Sequence, residues 1–266
     1  MFNVDSIEDF HKHYQSDDDC KEYLFNLKWQ DGFTCTKCGH TKSWKGRTKF
    51  HKRCAGCGYD ESSTANTLFH KIRLPLLKAF GIAFQIVDLK KGRSTVDFAR
   101  EFRVMQPTVW YFKNKLQKAM SADDQIEPEC DKERSKFSLD GLIITHRGRG
   151  LNGLQRVDVD LVVGDNKKNL KFISSYCILP NEDNLETCRL VNGKFKEFKT
   201  SILLWNFKVW LTGIHHHCSF THLKGYLDEF FFKYNYRDRR AELWHRLLQN
   251  AIKIKPASTR PRALTI

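Results

Sequence analysis

The sequence predicts an α+β protein of several domains, and three observations support this prediction. Apolar residues recur at helical spacing in residues 1–30 and again in residues 63–122. Between these segments, residues 31–62 are rich in Gly, Thr and Lys and hold two Cys-x-x-Cys pairs. Apolar and polar residues then alternate in strand-like runs over 136–179, and helical spacing returns over 198–250.

The composition favours a folded protein with a polyanionic partner. Hydrophobic residues make up 41% of the 266 residues, which is enough for a core. Lys and Arg number 45 against 31 Asp and Glu, a net charge of +14 that is typical of nucleic-acid-binding proteins but also occurs in other soluble basic proteins. No apolar run approaches the roughly 20 residues of a membrane-spanning helix, and the N-terminus lacks an apolar signal core, so we expect no membrane segment.

Residues 1–30 are predicted to form short helices. The acidic run from Asp17 to Asp19 should open the second one, because negative charge is stabilised at the positive end of the helix dipole. The predicted core positions of this segment are Phe10, Tyr14, Cys20, Tyr23, Leu24 and Leu27.

The two cysteine pairs of residues 31–62 predict a zinc ribbon. Each pair forms a knuckle that directs two thiolates at one metal ion, and Gly39 and Gly58 permit the left-handed turn that follows. An odd total of nine Cys favours metal binding in a reducing compartment over disulfides. We expect His40 and His51 at the surface, because four thiolates complete the tetrahedral shell of a structural zinc ion. The predicted ligands are Cys35, Cys38, Cys54 and Cys57.

Residues 63–122 are predicted to form a helical DNA-binding domain. An apolar helix is expected from about Pro75 to Leu89, and two helices separated by a tight break over 103–106 are expected from 94 to 120. Pro107 suits the first turn of the last helix. We expect Val96, Ala99 and Phe102 to be buried on the first helix of the pair, and Val109, Trp110, Phe112 and Leu116 on the second.

This pair of helices is interpreted as a helix-turn-helix, which lays its second helix in the major groove. Lysines would hold phosphates, and Thr108 and Asn114 could contact base edges. Two packed helices with a solvated basic face would give the same pattern. The residues expected on the exposed face are Thr108, Tyr111, Lys113, Asn114, Lys115 and Lys118.

The remaining segments complete the predicted organisation. Residues 123–135 are polar and are expected to be a linker, and residues 253–266 a flexible tail. Strands are expected at 137–145, 156–163 and 169–179.

Taken together, these segments resemble a family of bacterial insertion-sequence transposases that are related to the eukaryotic Merlin transposons. Its members have an N-terminal zinc ribbon and an RNase-H-like catalytic domain, so the resemblance implies a shortened RNase-H-like α/β domain over 136–252. The segments that carry the resemblance are 20–35, 64–69, 89–94, 137–141, 147–150, 205–217 and 222–237.

The resemblance also implies a catalytic site. Such enzymes use carboxylates to hold two divalent ions, usually Mg²⁺, which activate water and then a DNA 3′-hydroxyl for attack on phosphate. Matching positions imply that Asp140 is the first ligand, Asn206 the last member, and Lys208 a DNA contact. Arg147 and Arg149 lie in the basic loop that follows the first strand and are expected to bind DNA.

The residues themselves leave alternatives open. Asp140 is a carboxylate in an otherwise apolar strand, which costs free energy unless it is paired or metal-bound, but a solvated strand end would also accept it. Asn206 and Lys208, taken alone, fit a solvated helix face.

The family's second Asp, in a Thr-Asp-Gly turn, has no counterpart, and Asp140 and Asn206 are only 66 positions apart (206 − 140). Possible substitutes are Asp158 and Asp160, which share one strand face, and Glu186, although all three also fit surface charge. A missing strand would leave an open sheet edge, so we expect a homodimer.

Three functions are compatible with these observations. The first is a transposase-derived protein that binds double-stranded DNA at terminal inverted repeats and has an incomplete catalytic site. The second is an active transposase with a relocated carboxylate and Mg²⁺ or Mn²⁺. The third is a zinc-ribbon regulator whose C-terminal domain serves dimerisation. We expect the protein at the nucleoid in the cytoplasm of a bacterial host, or in the nucleus of a eukaryotic one.

Overall fold

A computed structural model describes residues 4, 6–121, 137–144, 155–163, 171–179, 190–191, 194–195, 202–215 and 220–255. Several predictions lie outside these residues: the linker over 123–135, most of the tail, and the side chains Arg147, Arg149 and Glu186. No helix within the described ranges has the length and apolar character needed to cross a membrane.

The described chain contains both predicted element types. The helices are α1 Ile7–His13, α2 Asp17–Lys28, α3 Leu76–Asp88, α4 Thr95–Phe102, α5 Gln106–Ser121, α6 Ile202–His215, α7 Phe220–Asn235 and α8 Arg240–Lys253. The strands are β1 Ser43–Lys45, β2 His51–Cys54, β3 Asp60–Ser62, β4 Phe137–Ile144, β5 Gln155–Val163, β6 Lys171–Leu179, β7 Leu190–Val191 and β8 Lys194–Phe195.

The chain divides into two compact units. The first contains residues 1–90, 95–122 and 239–266, and the second contains residues 91–94 and 123–238. Helix α8 therefore belongs to the first unit, whereas the resemblance placed residues up to 252 in the C-terminal domain.

The two N-terminal helices each begin after a serine that caps the first turn. Ser6 caps α1 by accepting a hydrogen bond from the backbone N–H of Asp9. Ser16 and Asp19 form a reciprocal capping box at the start of α2, which confirms that the acidic run opens this helix. Asp17 also accepts a hydrogen bond from the backbone N–H of Leu77, at 2.7 Å. One acidic turn thus satisfies donors at the start of both α2 and α3.

An aromatic core holds the first unit together. Phe10 and Phe84 stack with ring centroids 5.0 Å apart, and Trp244 of α8 packs edge-on against Phe80 and Phe84. The indole N–H of Trp244 donates a hydrogen bond to the hydroxyl of Tyr14, at 3.2 Å. Helix α8 therefore supplies a large part of this core, and all six apolar positions predicted in residues 1–30 are buried.

Helix α4 departs from its predicted register. Val96 is 44% exposed, so its predicted burial is wrong, and Phe98 is buried in its place. Phe102 is half-buried and approaches α3 so closely that a Cβ at Gly81 would lie 2.6 Å from its ring. Arg103 then takes a left-handed φ of 51°, which turns the chain toward α5 as predicted.

The second unit contains an antiparallel sheet in the order β4-β5-β6, followed by α6 and α7. The three strands confirm the runs predicted from alternation. Helix α6 packs on β4 and α7 packs on β6. Between the two helices, Phe207 and Trp210 contact the ring of Phe230, with centroids 5.3 and 5.8 Å apart.

Candidate metal centre and basic surfaces

The candidate metal centre lies on a small antiparallel sheet in the order β1-β2-β3. Strands β1 and β2 form a hairpin between the two cysteine knuckles. Backbone hydrogen bonds from Gly46 to His51 and from His51 to Thr48 close its turn. A Cβ at position 46 would lie 2.5 Å from the Cβ and 2.8 Å from the backbone carbonyl carbon of His51, so glycine is required at this close approach.

The two knuckles have matching hydrogen bonds. In the first, Cys35 N–H donates to His40 and Gly39 N–H donates to Cys35, both at 2.9 Å. In the second, the Cys54 N–H donates to the Tyr59 carbonyl at 2.9 Å, and the Gly58 N–H donates to the Cys54 carbonyl at 3.1 Å. Gly39 and Gly58 both have positive φ, 75° and 69°, as predicted. The shared geometry directs the two thiols of each knuckle toward one point.

All four thiols converge there. The Sγ atoms of Cys35, Cys38, Cys54 and Cys57 lie within 4.8 Å of one another. Cys35 Sγ is 3.7 Å from Cys57 Sγ, and Cys38 Sγ is 3.6 Å from Cys54 Sγ. Four sulfurs at these separations are the donor set of a closed tetrahedral zinc site, so the residues present fit a structural zinc ion.

The backbone also favours the thiolate form of one ligand. The N–H groups of Cys57 and then Gly56 are directed at Cys54 and lower its thiol pKa to about 7. His40 is exposed and lies outside the sulfur cluster. The ring Nδ1 of His51 is 2.6 Å from the hydroxyl oxygen of Thr48, so this side chain belongs to the hairpin turn.

A buried polar network fixes the ribbon to α2. The Lys28 ammonium lies 2.7 Å from the Glu61 carboxylate and also donates to the carbonyls of Ser62 and Ala65. Thr36, in the first knuckle, donates its hydroxyl proton to the second oxygen of Glu61 at 3.0 Å. Sequence reasoning missed this network, because its members are up to 37 positions apart and belong to no motif.

The ribbon surface is strongly basic. No Asp or Glu occurs between Asp31 and Asp60, while seven Lys and Arg residues do. Six of the seven are exposed: Lys37, Lys42, Lys45, Arg47, Lys49 and Arg53. The seventh, Lys52, is half-buried with its ammonium over the rings of Phe25 and Trp29. Such a surface attracts polyanions.

Helix α5 carries a second exposed stripe. Tyr111 is 65% exposed, Lys115 and Lys118 are exposed, and Thr108 and Asn114 are partly exposed. The predicted exposure of Lys113 is wrong, because this residue is only 3% exposed. It lies four positions after Val109 and three before Leu116, so it shares their buried face. Val109, Phe112 and Leu116 are buried as predicted, whereas Trp110 is half-buried.

The residues predicted to be catalytic fall in the second unit. Asp140 lies in β4, where the register with β5 shifts between Leu139 and Leu142. Leu139 pairs with Val159 and Leu142 pairs with Val157, so Asp140 and Gly141 together face the single position Asp158.

Of the other predicted members, Asp160 lies in β5, and Asn206 and Lys208 lie in α6. Asp160 pairs with Ser138 on one side and Ser175 on the other. Asn206 and Lys208 are exposed on α6, and the Lys208 ammonium lies 5.6 Å from the ring centroid of Trp205.

A small cysteine-rich sheet with four converging sulfurs defines a zinc-ribbon domain. The model of one family, the transposase zinc-ribbon domain, matches residues 15–60, which include α2 and both knuckles. The N-terminal part of the chain is thus a transposase-type zinc ribbon, as predicted. No curated protein and no solved structure matches the chain.

Proposed function

We propose that this protein is a transposase-derived DNA-binding protein that recognises the ends of a mobile element. One observation carries the proposal: the segment that matches a transposase zinc ribbon is also the segment in which four Sγ atoms converge within 4.8 Å. The zinc ion would be structural and would hold the basic hairpin in place, so the ribbon contributes binding rather than chemistry.

The helices α4 and α5 are proposed as a helix-turn-helix that adds a second DNA contact. Two observations support this. The Gln106 amide donates to the Thr95 hydroxyl at 3.0 Å, which ties the start of α5 to the start of α4. The exposed stripe of α5 combines lysines with Tyr111, Thr108 and Asn114, which are groups that hold phosphates and contact base edges.

The second unit is proposed as a shortened RNase-H-like domain with an incomplete metal site. An antiparallel three-stranded sheet with α6 packed on its first strand supports this, because Asp140 is on that strand and Asn206 on that helix. Mg²⁺ or Mn²⁺ held by such residues would activate water for attack on phosphate. The sequence has no counterpart of the family's second Asp, so we propose that strand cleavage is lost or impaired.

A specific observation favours a second candidate, an active transposase. The register shift sets Asp158 opposite Asp140 and Gly141, on the strand adjacent to the predicted first ligand. A second carboxylate at this position could replace the missing Asp, because two-metal sites need close carboxylates on neighbouring elements.

One experiment separates these functions. Zinc-loaded full-length protein is incubated with supercoiled DNA and terminal-repeat DNA over a Mg²⁺ and Mn²⁺ titration, and both binding and nicking are measured. The variants are Asp140→Ala and Asp158→Asn, with Asp238→Asn, an exposed carboxylate of the same unit, as the matched control.

Tight, salt-sensitive binding without nicking is the result we expect. Nicking that requires Asp140 and Asp158 but not Asp238 would establish the active enzyme instead. Failure to bind any DNA would overturn the proposal.

A further inference from the structure

Trp44 stands out on the ribbon as an indole in contact with solvent. It is 70% exposed on β1, whereas Trp29 and Phe50, two other large aromatic residues of the matched segment, are buried. Tryptophan is enriched at interfaces because its large apolar ring carries a polar N–H, so an exposed tryptophan on a binding domain is a candidate contact residue.

The strand register shows which face of the sheet carries Trp44. Lys45 pairs with Lys52, which pairs with Glu61, and Glu61 is fully buried against α2. That row therefore faces the interior of the unit. Trp44 belongs to the neighbouring row and points to the opposite face, because successive side chains of a strand alternate.

The cross-strand row that contains Trp44 also carries a basic side chain next to the indole. Trp44 pairs directly with Arg53, which pairs with Asp60. The Asp60 carboxylate is engaged at the hairpin turn, where it accepts from the backbone N–H of Arg47 at 3.3 Å and pairs with its guanidinium at 3.8 Å. Arg53 is exposed beside the indole, and Arg47 is exposed where it pairs with Asp60 in the same row. The outer surface of this sheet therefore presents an exposed indole face beside cationic side chains.

The chemistry of this surface selects one form of DNA. In an intact duplex the faces of the bases are covered by their neighbours, whereas an unpaired base can offer its face to an indole. Arginine beside the ring would hold the phosphates of the same strand. We propose that Trp44 stacks on an unpaired nucleobase, so that the ribbon prefers DNA with a single-stranded end over a blunt duplex. This inference rests on the proposed DNA-binding function.

The test compares two DNAs that differ only in unpaired bases. Zinc-loaded full-length protein is titrated by fluorescence anisotropy against a blunt duplex and against the same duplex with a short 3′ overhang. Base stacking on aromatic side chains implies that Trp44→Ala weakens binding to the overhang DNA by roughly 5- to 150-fold and leaves blunt-duplex binding nearly unchanged. Trp44→Phe, which keeps a stacking ring, should retain most of the preference.

Two controls keep the outcomes distinct. Ile7→Ala removes another partly exposed apolar side chain of the first unit and should leave both affinities unchanged. Zinc stoichiometry of each variant verifies that the ribbon is folded. Equal losses on both DNAs, or no loss on either, would overturn the role of Trp44 while DNA binding stands. Absence of binding to either DNA would overturn the proposed function itself.

Discussion

Lys28 and Glu61 form a buried ion pair, with the ammonium nitrogen 2.7 Å from the carboxylate oxygen. Lys28 is in the last turn of α2 and Glu61 is in the last strand of the ribbon sheet, so the pair joins a helix to the metal-binding domain. Burial lowers the pKa of Lys28, whereas the hydrogen bond to Glu61 opposes that shift. Each charge therefore depends on its partner to remain stable inside the protein.

Removing one member of this pair should lower the free energy of unfolding more than removing both. We expect Glu61→Leu to lower the free energy of unfolding by roughly 3–5 kcal/mol, because it leaves the ammonium of Lys28 buried without a counter-charge. The double variant Lys28→Met with Glu61→Leu should recover part of this loss. Urea unfolding of the native protein, the single variant and the double variant at pH 7 measures these free energies. A double variant less stable than the single one would contradict the role of the unpaired buried charge.

Zinc binding should depend on the four clustered thiols and not on cysteine content. We expect Cys38→Ser to lower the zinc bound per chain and to make the ribbon unfold at a lower chelator concentration, because a closed site needs all four ligands. Cys20→Ala is the matched control, since Cys20 is buried in α2 and lies outside the cluster. Metal analysis before and after chelator treatment checks this, and equal zinc loss in both variants would count against the site.

The lysines of α5 should contribute to the salt dependence of DNA binding. If Lys115 and Lys118 each contact one phosphate, alanine at both should reduce the slope of log affinity against log salt by about 0.9 per contact. Lys12→Ala removes an exposed lysine that pairs with Asp9 on α1, and it should leave the slope unchanged. Titrations at several salt concentrations provide the slopes. A change half as large in the control, which loses one lysine rather than two, would show that only net charge matters.

The first unit should become less stable at acidic pH because of His245. Burial first, and then the charge of Arg246, lower the pKa of His245 below its ordinary value of 6.5, and its Nδ1 lies 2.6 Å from the Tyr23 hydroxyl. The unfolded chain therefore takes up the proton more readily, so stability is full above pH 6.5 and falls as the pH drops below it. Between pH 7.5 and 5.5, the free energy of unfolding should fall more for the native protein than for His245→Gln. Equal losses would exclude this histidine as the cause.

The sequence predicted the features that depend on neighbouring residues. The capped acidic start of α2 and the paired knuckles with their glycines are local signals, and the structure confirms both. The error at Lys113 has a different origin. Helical spacing places it between Val109 and Leu116 on the buried face, but its charge led to the opposite prediction.

Features that join distant segments were not predictable. The Lys28–Glu61 pair, the burial of Trp244 against Tyr14, and the alignment of Asp158 with Asp140 all depend on how elements pack or pair across many residues. A single sequence gives the composition of each element, but it does not give the partner against which that element is placed.

The helix that completes the first unit, α8, follows the whole second unit in the sequence. Trp244 completes the aromatic core, and the Ala251 carbonyl accepts a hydrogen bond from the backbone N–H of Leu68 at 2.9 Å. During synthesis, the ribosome must therefore release residues 123–238 before this core can close, although domains generally fold in order from the N-terminus. We expect the nascent N-terminal helices to wait for α8, and a premature stop codon anywhere before it to yield a product that proteases remove.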